Sequence, residues 1–167
     1  MKNTRIEADI KFCNSGAVLK DTNKISENRT ATKKSLSLGD DLIIEMGITA
    51  NNPNEENVKT SIEIINSDGT KLSNMIDVDS KFQVVCVAGQ TSFYKITLED
   101  VRFVPGRYSL SFWCGDMSST ETYDYLENIL TFEILDGGDL TSRNLPSIAG
   151  LLFLTPKWQL VNYEKTN

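Results

Sequence analysis

The sequence contains no histidine. This removes the side chain most used for acid–base chemistry near neutral pH and the commonest metal ligand, and it makes a histidine-based catalytic triad impossible. Cysteine is scarce as well. Cys13, Cys86 and Cys114 are widely spaced and form no Cys-x-x-Cys pair, so they read as small buried hydrophobes in a reducing compartment rather than as zinc or redox ligands. The longest apolar run, Ile148 to Leu154, falls far short of the roughly 20 residues that span a bilayer. Met1 to Glu7 is polar and lacks the apolar stretch of a secretory signal, so the chain is expected to be soluble and not exported, and the Asn28-Arg29-Thr30 sequon to be a chance match. No basic block is longer than Lys33-Lys34, and 17 Lys and Arg against 23 Asp and Glu leave a net charge of -6. An acidic chain gains no counterion-release energy on a nucleic-acid backbone, so nucleic acid and anionic membrane are both poor partners. Phosphate-cradling loops, dinucleotide fingerprints and a Gly-x-Ser-x-Gly nucleophile elbow are all missing.

The 167 residues, 40% apolar and 24% charged, fit one globular domain that buries a real core. Short runs of alternating apolar and polar residues between turn-forming clusters dominate, and helical periodicity is nearly absent. Ile6, Ala8, Ile10 and Phe12 alternate before Asn14-Ser15-Gly16. After a polar segment from Lys20 to Leu38, Leu42, Ile44, Met46 and Ile48 share one parity and predict a central strand, closed by Asn51-Asn52-Pro53-Asn54. Val58 to Ile64 and Lys71 to Met75 flank Ser67-Asp68-Gly69 and predict a hairpin. Phe82 to Val87 and Ser92 to Leu98 flank Ala88-Gly89-Gln90 and predict a second pair of strands. Tyr108, Leu110, Phe112 and Cys114 alternate with Arg107, Ser109, Ser111 and Trp113, a polar segment runs from Gly115 to Glu127, and Ile129 to Leu135 predicts a returning strand. At least seven strands with almost no helix predict an all-β fold, an immunoglobulin-like or jelly-roll antiparallel β-sandwich. Its body spans 1–137; residues 138–167 form a connection and a C-terminal strand of the same domain. The apolar run Ile148 to Leu154 must pair with its own sheet or with another chain, and Asp136 to Leu145 resembles a connection that permits strand exchange.

The acidic clusters Asp40-Asp41, Asp77-x-Asp79 and Glu99-Asp100 invite comparison with calcium ligands or paired glycosidase acids, but strand ends and turns routinely carry such residues. No metal or cofactor is expected. Trp113 stands out because its parity sets it opposite Tyr108, Leu110 and Phe112, facing outward if those fill the core. An outward indole offers a flat apolar plate for the C–H face of a sugar, with Ser111, Arg107, Ser61, Glu63, Thr131 and Tyr125 as candidate neighbours for the hydroxyls. An indole covered by the Gly115 to Glu127 segment or by the tail is the plainer alternative, and Tyr123 and Tyr125 either wall the plate or pack down.

The order of these features resembles the C-terminal carbohydrate-binding domain of Wzt-type ABC-transporter ATPases, which export O-antigen and related polysaccharides. The landmarks are Ile10 and Phe12, then Leu38-Gly39-Asp40-Asp41-Leu42-Ile43-Ile44, then Ser61-Ile62-Glu63-Ile64 with Asp68-Gly69-Thr70. Tyr94-Lys95-Ile96, Val101, Phe103, Pro105-Gly106-Arg107-Tyr108-Ser109-Leu110, Leu130-Thr131-Phe132-Glu133-Ile134, Gly150 and Trp158 complete the series. The resemblance covers roughly residues 6 to 160. It implies a non-catalytic module that recognises an exported polysaccharide on the cytoplasmic side and acts with an ATPase domain and a membrane permease. It also implies a homodimer in which the final strand is exchanged. The ATPase domain that would precede such a module is absent from this sequence. Two other readings remain at this stage: a structural or dimerisation sandwich without glycan binding, and a glycoside-processing enzyme using Glu63 or Glu133 as an acid.

Overall fold

A computed structural model describes residues 5–12, 34–50, 57–136, 145 and 150–159. Among the described residues nine strands make two layers: β1 (Arg5–Phe12), β2 (Lys34–Ser37), β3 (Leu42–Ala50), β4 (Asn57–Asn66), β5 (Lys71–Ile76), β6 (Val84–Val85), β7 (Gln90–Leu98), β8 (Gly106–Gly115) and β9 (Thr122–Leu135). One layer is a three-stranded sheet in the order β1-β3-β7; the other, six-stranded, runs β2-β9-β8-β4-β5, with β6 pairing the remainder of β4. All ladders are antiparallel except β2 with β9, which is parallel. This is the β-sandwich that the alternation predicts.

The core forms because strand side chains alternate between faces, so one parity from each sheet is removed from water. Leu42, Ile44, Met46 and Ile48 of the small sheet meet Val58, Ile62, Ile64, Leu110, Phe112, Phe132 and Ile134 of the large one, all buried. Each such side chain contributes about 1.5–3 kcal/mol by burial. Tyr108, at the start of β8, stacks between Phe103 and Phe132, with ring centroids 5.5 Å away on each side. Its hydroxyl donates to the Val104 carbonyl at 2.5 Å, pinning the Pro105-Gly106 corner as a tyrosine corner does in other sandwiches. Burial pushes the Tyr108 phenol up to about 12.

The Ser67–Thr70 hairpin turn closes as expected, with Gly69 at φ 81° and the Asn66 carbonyl accepting from the Gly69 N–H. Three expectations need correction. Val84-Val85 does not pair with the Ser92 to Leu98 strand: β6 joins β4 in the large sheet, and Gly89 (φ 74°), donating to the Ala50 carbonyl, turns the chain across to the small sheet. The alternation of buried Val84 and Cys86 with exposed Val85 and Val87 is real, but the turn between the two runs changes layers. The polar segment after β8 is only Asp116 to Glu121, because β9 begins at Thr122. β2, inside the segment read as polar, contributes the buried Leu36.

The tail returns to its own chain. Leu152 bridges Phe103, the Phe153 N–H donates to the Arg102 carbonyl at 2.7 Å, and Phe153 packs with Leu38 and Leu145. Cys86 and Cys114 are buried, and burial pushes the Cys86 thiol up to about 11. Cys13, Asn14-Ser15-Gly16, the Asn28 sequon, the Asn51 to Asn54 turn, the connection after Asp136, and Ile148 lie outside the described residues. Among the described residues no helix is long and apolar enough to cross a membrane.

Candidate functional site

The outer face of the six-stranded sheet is where the expected residues fall. β4 and β9 flank β8, placing Ser61 beside Trp113, Glu63 beside Ser111, Thr131 beside Ser109, Glu133 beside Arg107 and Tyr125 beside Trp113. These pairs share one face because antiparallel partners point the same way.

Trp113 is partly exposed and fixed in place. Its Nε1–H donates to Thr122 Oγ1 at 2.9 Å, and its six-membered ring extends over Gly115, where an added Cβ would lie 2.5 Å from Cζ2. Gly115 therefore provides the room in which the ring lies along its own strand. The turn that returns β9 is organised by Asp116, whose carboxylate accepts from the Ser118 hydroxyl and N–H, the Thr120 hydroxyl and the Glu121 N–H. These bonds, led by the Ser118 hydroxyl, hold the Asp116 carboxyl well below the usual carboxylate range. From β4, Lys59 Nζ donates to Ser119 Oγ at 3.0 Å and ties the turn to the sheet.

Beside the indole, Tyr125 is exposed at 44%. One register row along the sheet from the indole, Glu63 Oε1 accepts at 2.5 Å from the ammonium of Lys71, which reaches it from its place opposite Ile65 on β5. The Glu63 hydrogen bond is the main cause that holds the Lys71 pKa above its ordinary value, with a smaller electrostatic contribution from Tyr125. The site thus combines an indole, a phenol and a charge-balanced ion pair.

Other expected residues play lesser parts. Ser111 is fully buried, and its hydroxyl accepts from the Asn128 N–H at 2.9 Å where β9 bulges, with Asn128 at φ 48°. It supports the strand and offers no surface to a ligand. Ser61 is only 7% exposed. Arg107 and Thr131 are exposed, but they lie toward the opposite end of β8 from Trp113. Tyr123 packs against the core. Lys71, Thr122 and Gly115 belong to the site and were not expected there, although Trp-x-Gly on one strand already sets a ring beside an empty position on the same face.

Four of the six clustered acids have structural partners, three of them backbone N–H groups. Asp40 accepts from the Ser37 N–H at 2.7 Å, Asp41 from the Asp100 N–H at 3.0 Å, and Asp77 from the Thr60 N–H at 3.2 Å, while Asp100 pairs with Arg102 at 2.8 Å. Among the described residues no cluster of three or more acids and thiols could hold a metal ion.

Among curated proteins no sequence is significantly similar to this chain. Among solved structures, it is similar to the crystal structure of the C-terminal domain of Wzt, with a TM-score of 0.56 and 19% identity, over 67% of this chain and 73% of that one. Weaker likenesses, from which nothing is argued, include a β-glucuronidase from glycoside hydrolase family 2 (TM-score 0.41, 14% identity, 74% of this chain and 10% of that one) and a β-glucosidase from Listeria innocua (TM-score 0.40, 14% identity, 80% and 16%). The family model of the Wzt C-terminal domain matches residues 9–151, so the chain belongs to the Wzt C-terminal domain family.

Proposed function

We propose that this domain is a non-catalytic recognition module for a bacterial surface polysaccharide of the O-antigen type, serving as the specificity element of an ABC exporter. It acts on the cytoplasmic side with an ATPase domain and a membrane permease, as a homodimer in which the C-terminal segment, docked within one chain at Phe103 and Arg102, makes the same contacts with a second copy. Family membership supports the exporter setting. The observation that carries the glycan reading is Trp113, held by Thr122 over Gly115 on an outward sheet face beside Tyr125 and the Glu63–Lys71 pair. A fixed aromatic plate stacks against sugar C–H groups without losing rotamer entropy on binding, and the ion pair supplies both a donor and an acceptor for hydroxyls. Glu63 is engaged by an ammonium, which suits a hydrogen-bonding role and supports a module without catalysis.

Tryptophan fluorescence titration with the long-chain surface polysaccharide of the encoding strain, checked by calorimetry because Trp158 is 91% exposed, tests this reading. The expected result is saturable binding that an unrelated polysaccharide does not give, weakened at least tenfold, about 1.4 kcal/mol, by Trp113→Ala with folding preserved. Unchanged affinity in the folded variant would move the site off this face. Absence of binding by the unaltered chain would leave a structural or dimerisation sandwich as the better account.

A further inference from the structure

The three-stranded sheet carries its own aromatic laid over a glycine. Phe93 on β7 stands across from Gly47 on β3, and a Cβ added at Gly47 would lie 2.9 Å from the ring's Cε1 and 3.2 Å from its Cδ1 and from Thr91 Cγ2. The ring and the Thr91 methyl thus roof a stretch of bare backbone, yet Phe93 is 75% exposed. On one side the Thr49 and Thr91 hydroxyls, paired across the strands, lie 2.7 Å apart; on the other the register sets Glu45 opposite Lys95.

We propose that Phe93 is the plate of a second sugar-stacking subsite, on the face of the sandwich opposite Trp113. This rests on the glycan reading given above. The composition of the face selects the ligand class. A protein interface needs several contiguous apolar side chains at its centre. On the outward positions of β3 and β7, among the described residues, Phe93 is the one exposed large apolar side chain, since Ile43 is buried. A pyranose needs a single flat ring for its C–H face and hydroxyl, acid and base groups around it, and those are the groups present. Covering Gly47 alone gives a ring so exposed little reason to be aromatic. A polysaccharide long enough to reach round both faces would gain avidity from two weak sites that neither provides singly.

The test uses the full chain and oligosaccharides a few repeats long, released by mild acid from the encoding strain's surface polysaccharide, with dextran as the control. Calorimetry is expected to give two oligosaccharides per chain for the unaltered protein and one for either Trp113→Ala or Phe93→Ala. The double variant should give none. Phe93→Leu, which still covers Gly47 but lacks a flat ring, should lose the second site at an unchanged thermal midpoint. Binding by Phe93→Ala at the unaltered stoichiometry, with loss in Trp113→Ala, would overturn the second subsite and leave the first standing. A Phe93→Ala variant that changes sedimentation but not glycan binding would reassign the ring to contact between copies of the chain, also overturning the proposal. No binding by the unaltered chain would remove the glycan reading and this subsite together.

Discussion

On the large sheet the aromatic over a glycine is tied down: Trp113 donates to Thr122, and its ring fills the space above Gly115 next to the Glu121 carbonyl. On the small sheet Phe93 covers Gly47 with no polar group to anchor it and is three-quarters exposed. The same pair of residue types therefore gives a fixed plate on one face and an adjustable one on the other. The difference lies in what surrounds each ring. A side-chain acceptor, a bulged neighbour and a capped turn converge on the indole, whereas the phenyl ring lies on the flat surface of its own sheet.

Alanine at the two glycines separates these cases most sharply. At Gly115 the new methyl would lie 2.3 Å from the Glu121 carbonyl oxygen and 2.5 Å from the tied indole, so Gly115→Ala is expected to destabilise the fold by about 2–3 kcal/mol and to alter Trp113 fluorescence. At Gly47 the nearest obstacle is the end of a ring that can swing away, and Gly47→Ala is expected to cost less than about 1 kcal/mol in the same denaturant titration. Equal costs would mean that Phe93 is held as firmly as Trp113.

Thr122 tests the tie itself. Thr122→Val should cost about 1 kcal/mol and change the near-ultraviolet dichroism of Trp113, while Thr122→Ser should leave the signal intact. A signal indifferent to Thr122→Val would make the fixed plate a product of packing alone.

The smallest effect concerns the turn. Because its folded pKa is depressed, Asp116 contributes stability that is fully present above its ordinary value of 3.8 and is lost as pH falls through the lower folded value. The Trp113 dichroism should therefore hold from pH 7 to pH 4 and fade only in stronger acid. Asp116→Asn should weaken it already at pH 7.

Much of this architecture is legible in the sequence, because strand parity is a local property. Leu42 to Ile48 and Tyr108 to Cys114 each alternate long enough to mark a face, and Asp68-Gly69 marks its own turn. The same parity placed Trp113 outward. The remainder depended on non-local facts. β2 offers a single apolar residue, Leu36, and is a strand only because β9 lies beside it. β6 and β7 look like a hairpin until the Gly89 turn is seen to change layers. Ser111 shares the parity of Trp113, but it is buried where β9 bulges around Asn128, a displacement that no count along β8 predicts. Lys71 entered the site through hairpin register, which depends on the irregularity between Ile64 and Ile65.

The parallel ladder of β2 against β9 also sets an order in time. Lys34 pairs with Phe132, 98 positions later in the chain (132 − 34). At synthesis rates of about 5–20 residues per second, β2 waits roughly 5–20 s for the strand that completes it. Through that interval β1, β3 and β7 have each other, but Leu36 has no sheet to enter. The edge pairing of the large sheet is therefore among the later ones to form, and closure entropy makes it slow. Mutations at Leu36 should therefore lower folded stability and also delay the protection of the newborn chain from aggregation and proteolysis.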